Sequence, residues 1–415
     1  MVSFRSKKHH ACRICASRDL SDYLDLGPQP PSNAFIRPAD LAFEARFPLV
    51  IALCRRCGLS QLRDVVFAED IFGDYFYLSS TSKALREHYR ALVDSAVSAF
   101  GCADNALMVD IGCNDGIVLA GYPKNRFRLL GIEPSSAGAY ARRAGFEVIP
   151  EFFDRSLGAR IAAERGGAAI VTATNVFAHV DDIISFTEGI REALAHDGVY
   201  IAEFPYLPDT VDGLYFDTIY HEHLSYLALA PLDRLFAATG LRAFRAERIH
   251  LGASGPALRL FACRKDASRA EEPSVRDLRS FEASWGIANE AVYRRFAGRV
   301  ADFRHRMRGL LADLRARKAR IGGYCAPAKG NTLLNYIGLG PADIEAVAEN
   351  NPLKIGLLTP GSHIPIVSDD EFLARNFTHA LLLAWNYADF FLANAEFVKR
   401  SGRFIVPLPE LIVRP

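Results

Sequence analysis

Five side chains suited to proton transfer crowd one short stretch, IYHEHLSY at residues 219–226: Tyr220, His221, Glu222, His223 and Tyr226. An imidazole is a natural base near neutral pH. A tyrosine or a second histidine can donate a hydrogen bond to a developing oxyanion. A glutamate can fix the imidazole's tautomer. Together they suit removal of a proton beside a ketone and stabilisation of the resulting enolate. The order is not H-E-x-x-H, so the zincin reading fails. The stretch follows the strand-like YIAEF and the loop PYLPDT, where sites in α/β folds gather. The same residues would equally serve as paired polar groups holding a loop. Upstream, TNVFAHVDD adds Asn175 and His179 beyond another strand; loop capping is their plainer reading. Tyr75 and Tyr77 in GDYFYLSS would close such a site from the N-terminal side, or pack as an aromatic pair.

VDIGCNDG, residues 109–116, points to the other reactant. An apolar strand ends in Asp110 and turns through Gly112, Asn114, Asp115 and Gly116 towards an expected helix. Glycines let backbone approach a ligand closely. A pyrophosphate loop would want bare N–H groups, not carboxylates. A loop facing the sulfonium and aminoacyl end of S-adenosylmethionine (SAM) tolerates them. The spacing is also not G-x-G-x-x-G. Glu133, at the end of the next strand in RLLGIEPSS, can accept both ribose hydroxyls of an adenosine. Phe152, just beyond FEVIP, joins this cofactor set, and Asn175 is counted with it too. Each piece alone is weak. Their order on the strand ends of one domain favours SAM over a dinucleotide, with a ligand-free glycine turn as the remaining reading.

Cys12, Cys15, Cys54 and Cys57 form C-x₂-C twice, separated by about forty residues, a strong zinc spacing. Each knuckle supplies two thiolates, and all four tetrahedral positions are filled. The expected site is closed and structural. Cys102, Cys113, Cys263 and Cys325 sit among apolar neighbours and read as small core residues.

Near the C-terminus, GGYCAPAKGNTLLNYIG reads strand, small-residue turn, helix. It puts Lys329, Gly330, Asn331 and Thr332 at the helix start. Backbone N–H groups, the helix dipole and a lysine suit an anion such as a diphosphate. Asn351, Lys354 and His363, in ENNPLKIGLLTPGSHIPIV, could complete the same cleft. A dimerisation or capping lobe is the alternative.

These residues need scaffolds. ALMVDIG, RLLGIEP, FEVIP, AAIVTATNV, GVYIAEF and ALRLFAC read as strands, alternating with helical AGAYARRAG, ISFTEGIREALAH and PLDRLFAATG. That alternation predicts a mainly parallel, doubly wound α/β sheet with helices on both faces. The predicted division is a zinc-binding domain over 1–72, a Rossmann-like SAM-binding domain over 73–285, a solvated connecting helix over 286–318 and a smaller α/β domain over 319–415. With 49 basic and 48 acidic residues the net charge is +1, so nothing demands nucleic acid or an anionic membrane. The basic N-terminus has no apolar stretch behind it and reads as no secretory signal. No apolar run reaches the length of a transmembrane helix. A cytoplasmic monomer or homodimer is the expectation.

Taken together, the four cysteines, VDIGCNDG, TNVFAHVDD, YHEHLSY, GYCAPAKGNTLLNY, NNPLKIGLLTPGSHIPI and LLLAWNY resemble the bacterial sugar C-methyltransferases. That family acts on nucleotide-linked 4-keto-6-deoxyhexoses. The resemblance covers essentially the whole chain. It implies structural zinc, SAM, a C-terminal lobe that helps hold the nucleotide sugar, and His223 as base with Tyr220 and Glu222 beside it. It implies proton abstraction at sugar carbon 3, then methyl transfer. HLGASGPALRLF departs from the His-Gly-Gly-Ser run of some relatives, and a sugar hydroxyl is the alternative acceptor. A non-catalytic zinc- and SAM-binding protein is a third reading.

Overall fold

The computed structural model describes residues 4–72, 78–252 and 255–415, without the side chains of 251 and 252. Tyr75 and Tyr77 lie outside the described residues. The N-terminal part contains β1 (Ser6–Lys8), β2 (Leu20–Gln29), β3 (Phe47–Cys54), β4 (Ser60–Leu62), β5 (Asp64–Val66) and the short helix α1 (Ala68–Phe72). β2, β3 and β4 pair antiparallel, and β1 pairs β5. This sheet is completed from far along the chain. β11 (Ser225–Tyr226) pairs antiparallel with β4, setting Ser225 against Gln61 and Tyr226 against Ser60. The boundary expected at residue 72 is therefore crossed by backbone pairing.

The central sheet has seven strands: β6 (Leu107–Ile111), β7 (Arg128–Ile132), β8 (Glu147–Ile149), β9 (Ala168–Thr174), β10 (Leu194–Pro205), β12 (Leu241–Gly252) and β13 (Gly255–Arg264). Their order is β12-β13-β10-β9-β6-β7-β8. β6 to β10 run parallel and β13 runs against β10. Parallel strands covered on both faces read as continuous apolar runs, and all of LMVDI in β6 is buried. α2 (Lys83–Phe100) covers one face through Leu85, Tyr89, Leu92 and Val93. α4 (Arg155–Arg165), α5 (Ile183–Ala193) and α7 (Leu229–Thr239) cover the other, and the short α3 (Gly138–Arg143) packs on β7 and β8. Strand order reverses at β6 and β9, and the crevice beyond their carboxyl ends is the natural ligand site.

Several elements differ from expectation. The helix expected after Gly116 is a single 3₁₀ turn, Leu119–Gly121, because Gly121 and Pro123 follow at once. β12 was not predicted. It is an edge strand with arginine at every third position, Arg242, Arg245 and Arg248, which blunts its apolar signal. α6 (Leu207–Asp212) and α8 (Pro273–Trp285) add to the central part. The long helix α9 (Glu290–Ala316) is no solvated connector. Tyr293, Phe296, Val300, Phe303, Met307 and Leu311 are buried, and Tyr293 packs against Tyr23 of β2 with ring centroids 4.8 Å apart. Part of its arginine face caps other helices. Arg299 donates to the carbonyls of Val211 and Asp212, and Arg308 to that of Ile337. Such carbonyls at helix ends lack intrahelical partners.

The C-terminal sheet contains β14 (Ile321–Tyr324), β15 (Val347–Ala348), β16 (Ile366–Val367), β17 (His379–Leu382), β18 (Arg403–Val406) and β19 (Ile412–Arg414), in the order β16-β15-β14-β17-β18-β19. Helix α10 (Ala328–Ile337) follows β14.

At the end of β10 the carboxylate of Glu203 is fully buried. It accepts from Arg259 Nη2 at 2.8 Å and sits 2.7 Å from His88 Nε2. These partners hold it below the usual carboxylate range although burial opposes its charge. Arg259→Met should cost about 3–5 kcal/mol by stranding that charge, which urea unfolding would measure.

Candidate active site

The carboxyl ends of the central sheet open into a cavity of about 810 Å³. Its wall includes Asp110, Gly112, Asn114, Glu133, Phe152 and Asn175 from the central sheet, and Tyr220, His223 and His179 from the loops above it. Lys329 and Lys354 of the C-terminal lobe line it as well. Asp115, Gly116, Glu222, Gly330, Asn331, Thr332, Asn351 and His363 are not among its lining residues.

The VDIGCNDG turn is held by its own polar groups. Gly112 has φ +67°, and a Cβ there would lie 2.3 Å from a methyl of Val176. No other residue fits. Glu133 takes backbone N–H groups from Asn114 and Ser135, each at 2.9 Å. It thereby ties the ends of β6 and β7 together at the cavity wall. Asn114, also at positive φ, accepts from Ser79 N, and Asp115 accepts from Ser80 N. Asp115 thus clasps the chain before α2 and does not face the cavity. Asp110 is 2% exposed and accepts from Thr172 Oγ1 at 2.6 Å. Burial pushes its carboxyl up to about 7, so the turn carries less negative charge than its sequence suggests. Asn175 donates to the hydroxyl of Tyr89 at 3.0 Å, fixing α2 over the cofactor side.

His223 Nδ1 lies 2.7 Å from the carbonyl oxygen of Thr218. A carbonyl only accepts, so Nδ1 carries the proton and Nε2 keeps its lone pair. The Tyr220 ring lies 4.1 Å from the imidazole and the His179 ring 5.0 Å, nearly parallel. Phe72 stacks on the far side of this group, its ring 5.8 Å from that of His179. Burial pushes His223 down to about 4 and holds His179 well below its ordinary value, with His223 itself adding to the latter. Both rings are therefore neutral near pH 7. Glu222 is buried, and its Oε1 accepts from Asn33 Nδ2 at 2.7 Å. Asn33 lines the cavity in its place. His221 turns away, its Nε2 3.3 Å from the carbonyls of Phe47 and Pro48.

On the opposite wall, Lys329 is buried at the start of α10. Its ammonium donates to Asn386 Oδ1 at 2.5 Å and lies 4.0 Å from the Trp385 ring centroid. Burial pushes it down to about 8. Lys354 donates to the Ala326 carbonyl at 2.8 Å and lies 3.8 Å from Glu349. The other residues expected to hold substrate do structural jobs. Asn331 Nδ2 donates to the Ser32 carbonyl, and the Thr332 and Ser32 hydroxyls meet at 3.1 Å. Gly330 lets α10 pack on Leu383. Asn351 caps its own turn by accepting from Leu353 N. His363 lies 3.0 Å from Glu44. Cys325 is no core residue: its φ of +64° puts it on the cavity wall.

Sequence reading missed Asn33, Phe72, Tyr89, Asp181 and Asn386 as lining residues. Asp181 and Asn386 stood inside motifs already singled out, TNVFAHVDD and LLLAWNY. Burial opposes the charge of Asp181, yet His9, Lys7 and Arg13 hold it well below the usual carboxylate range.

The Sγ atoms of Cys12, Cys15, Cys54 and Cys57 lie within 4.8 Å of one another. Cys12 and Cys57 are 3.4 Å apart, Cys15 and Cys54 3.5 Å. Tetrahedral zinc with Zn–S of about 2.3 Å sets its sulfurs about 3.8 Å apart. The four thiolates fit that ion and leave no open coordination position.

Comparison with known proteins accounts for this architecture. A zinc binding domain family matches residues 12–72, a methyltransferase domain family 85–245 and a C-methyltransferase C-terminal domain family 252–409. The C-methyltransferase NovU of Streptomyces niveus is 37% identical over 402 residues, 96% of this chain and 95% of that protein. The chain belongs to the SAM-dependent, zinc-containing C-methyltransferases. Among solved structures, the magnesium protoporphyrin IX methyltransferase of Synechocystis PCC 6803 with bound SAM is 15% identical, covering 47% of this chain and 88% of that one at a TM-score of 0.33. The mitomycin 7-O-methyltransferase is 18% identical, covering 45% and 59% at a TM-score of 0.32.

Two measurements check the cofactor sites. Metal analysis of the purified chain should find one zinc per molecule. Gly112→Ala should weaken SAM binding by at least about tenfold, because both the positive φ and the Val176 contact oppose a Cβ; calorimetric titration gives the affinity.

Proposed function

We propose that the protein transfers the SAM methyl group to a carbon beside the C4 ketone of a nucleotide-linked 4-keto-6-deoxysugar. Carbon 3 is the position the family resemblance implies. One observation carries the reading: the imidazole tethered through Nδ1 to Thr218 stands on a cavity wall shared with the cofactor turn and two buried lysines. Cofactor, base and an anion-binding side meet in one space.

The steps follow from these groups. His223 Nε2 takes the proton from the carbon beside the ketone. The electron pair of that C–H bond moves onto the ketone oxygen, giving an enolate. Tyr220, whose ring lies against the imidazole, is the proposed donor to this oxygen. The carbonyl then re-forms, and the carbon's electron pair makes the new bond to the methyl group. SAM would supply that methyl on an electrophilic sulfonium, whose sulfur keeps the electron pair of the broken C–S bond and departs as the neutral thioether. Asn175 and Tyr89 keep the two reactants on fixed sides, which is where most of the rate gain of a two-substrate reaction arises. Lys329 and Lys354 face the diphosphate of the nucleotide. Their burial removes competing water and strengthens the attraction.

His223→Gln should lower kcat by ~10²–10⁴-fold with the SAM affinity unchanged. Turnover near the wild-type level would remove His223 from the mechanism. In D2O without SAM, the wild-type enzyme should exchange deuterium into one carbon flanking the ketone. NMR of the recovered sugar tells carbon 3 from carbon 5, and absence of exchange would favour a hydroxyl acceptor.

The pH profile follows from the depressed imidazole. A base pushed down to about 4 is unprotonated above that pH and is lost only as pH falls through it. kcat/KM should therefore stay level from about pH 7 to about 5 and decline below, with a separate fall as pH rises through about 8 and Lys329 loses its charge. An acidic limb centred near 6.5 would instead describe an ordinary, solvated histidine.

A further inference from the structure

The tether that orients His223 is itself anchored in the C-terminal lobe. Thr218 closes the 3₁₀ turn Phe216–Thr218. In the middle of that turn, Asp217 is fully buried and its Oδ2 accepts from Trp385 Nε1 at 2.6 Å. Trp385 opens the 3₁₀ turn Trp385–Tyr387, whose next residue, Asn386, holds the Lys329 ammonium. Tyr215 stacks on Trp385 at 4.7 Å, and Phe216 packs on Tyr336 of α10 at 5.2 Å. One contact chain thus runs from Lys329 on the cavity wall through Trp385, Asp217 and Thr218 to imidazole 223.

Packing alone would be served by an apolar side chain at 217, because a buried carboxylate is costly unless a charge answers it. Lys329 is the cation that answers. Burial pushes Asp217 up to about 6 and Lys329 down to about 8, and each group's charge favours the other's. Between those values both are ionised.

We infer that Asp217 and Trp385 are positioning residues, whose hydrogen bond makes the alignment of His223 depend on the lobe that carries Lys329. Neither has to touch the reacting carbon. The inference rests on His223 being the base, and its test keeps the two claims apart.

The test uses the full-length, zinc-loaded chain with histidine labelled in nitrogen-15. Trp385→Phe keeps the stacked ring and deletes the donor. It should lower kcat by ~10–100-fold, the cost of a small misplacement, with SAM affinity unchanged. The Nδ1 proton of His223, assigned by its loss in His223→Gln, should exchange faster with water. Asp217→Asn retains an acceptor oxygen for Trp385 and should keep the slow proton and most of kcat, while KM for the nucleotide sugar rises because Lys329 loses its counter-charge. An unchanged Nδ1 exchange rate in Trp385→Phe would overturn the inference whatever happens to kcat. Full turnover in His223→Gln would overturn the base assignment alone, since the exchange rate still reports the tether.

Discussion

A buried imidazole offers its lone pair to a ligand only if that nitrogen is left unprotonated, and here one hydrogen bond decides which nitrogen that is. The Nδ1–H of His223 is committed to the Thr218 carbonyl, so the remaining nitrogen is basic and unprotonated. The carbonyl must not move. Backbone pairing of β11 with β4 holds the chain just after the imidazole, and Leu224 N donates to the Ala178 carbonyl beside it. The Asp217–Trp385 bond holds the chain just before it. Each of the three parts of the molecule therefore grips one short segment, and the zinc knuckle belongs to the same device. Cys57 lies three positions before the start of β4, so a bound zinc would stiffen the strand on which β11 lies.

The two reactant sites differ in how they are built. The SAM side rests on backbone conformation, with positive φ at Gly112, Asn114 and Asn175 and a carboxylate knotting two strand ends. These are local features of consecutive residues. The opposite wall rests on buried cations whose partners come from remote loops: Asn386 for Lys329, Glu349 and Ala326 for Lys354.

Sequence reading recovers the first kind of feature well and the second poorly. The strand ends carrying Asp110, Glu133 and Asn175 announce themselves through apolar runs and glycine, and C-x₂-C needs only a count. The raised titration of the Asp110 carboxyl was not legible, because it comes from burial by other strands. Nor were the roles of Glu222, Asn331 and His363. Their polar types suggested ligand contacts, but each turns to a distant partner: Asn33, Ser32 and Glu44. Asp217 and Trp385 lie 168 residues apart; LLLAWNY marks Trp385, but nothing short-range ties it to Asp217. The burial of α9 was hidden by an arginine-rich outer face, although Arg299 and Arg308 cap neighbouring helices.

The shared N-terminal sheet has a consequence for synthesis on the ribosome. β2, β3 and β4 leave the exit tunnel early, yet the strand that covers the free edge of β4 is made only after most of the central sheet has been translated. Until then the unpaired backbone edge of β4 stands open to pairing with any extended chain nearby. A nascent molecule of this kind should depend on a chaperone between those two moments, and fragments ending before β11 should aggregate instead of yielding a separable zinc module.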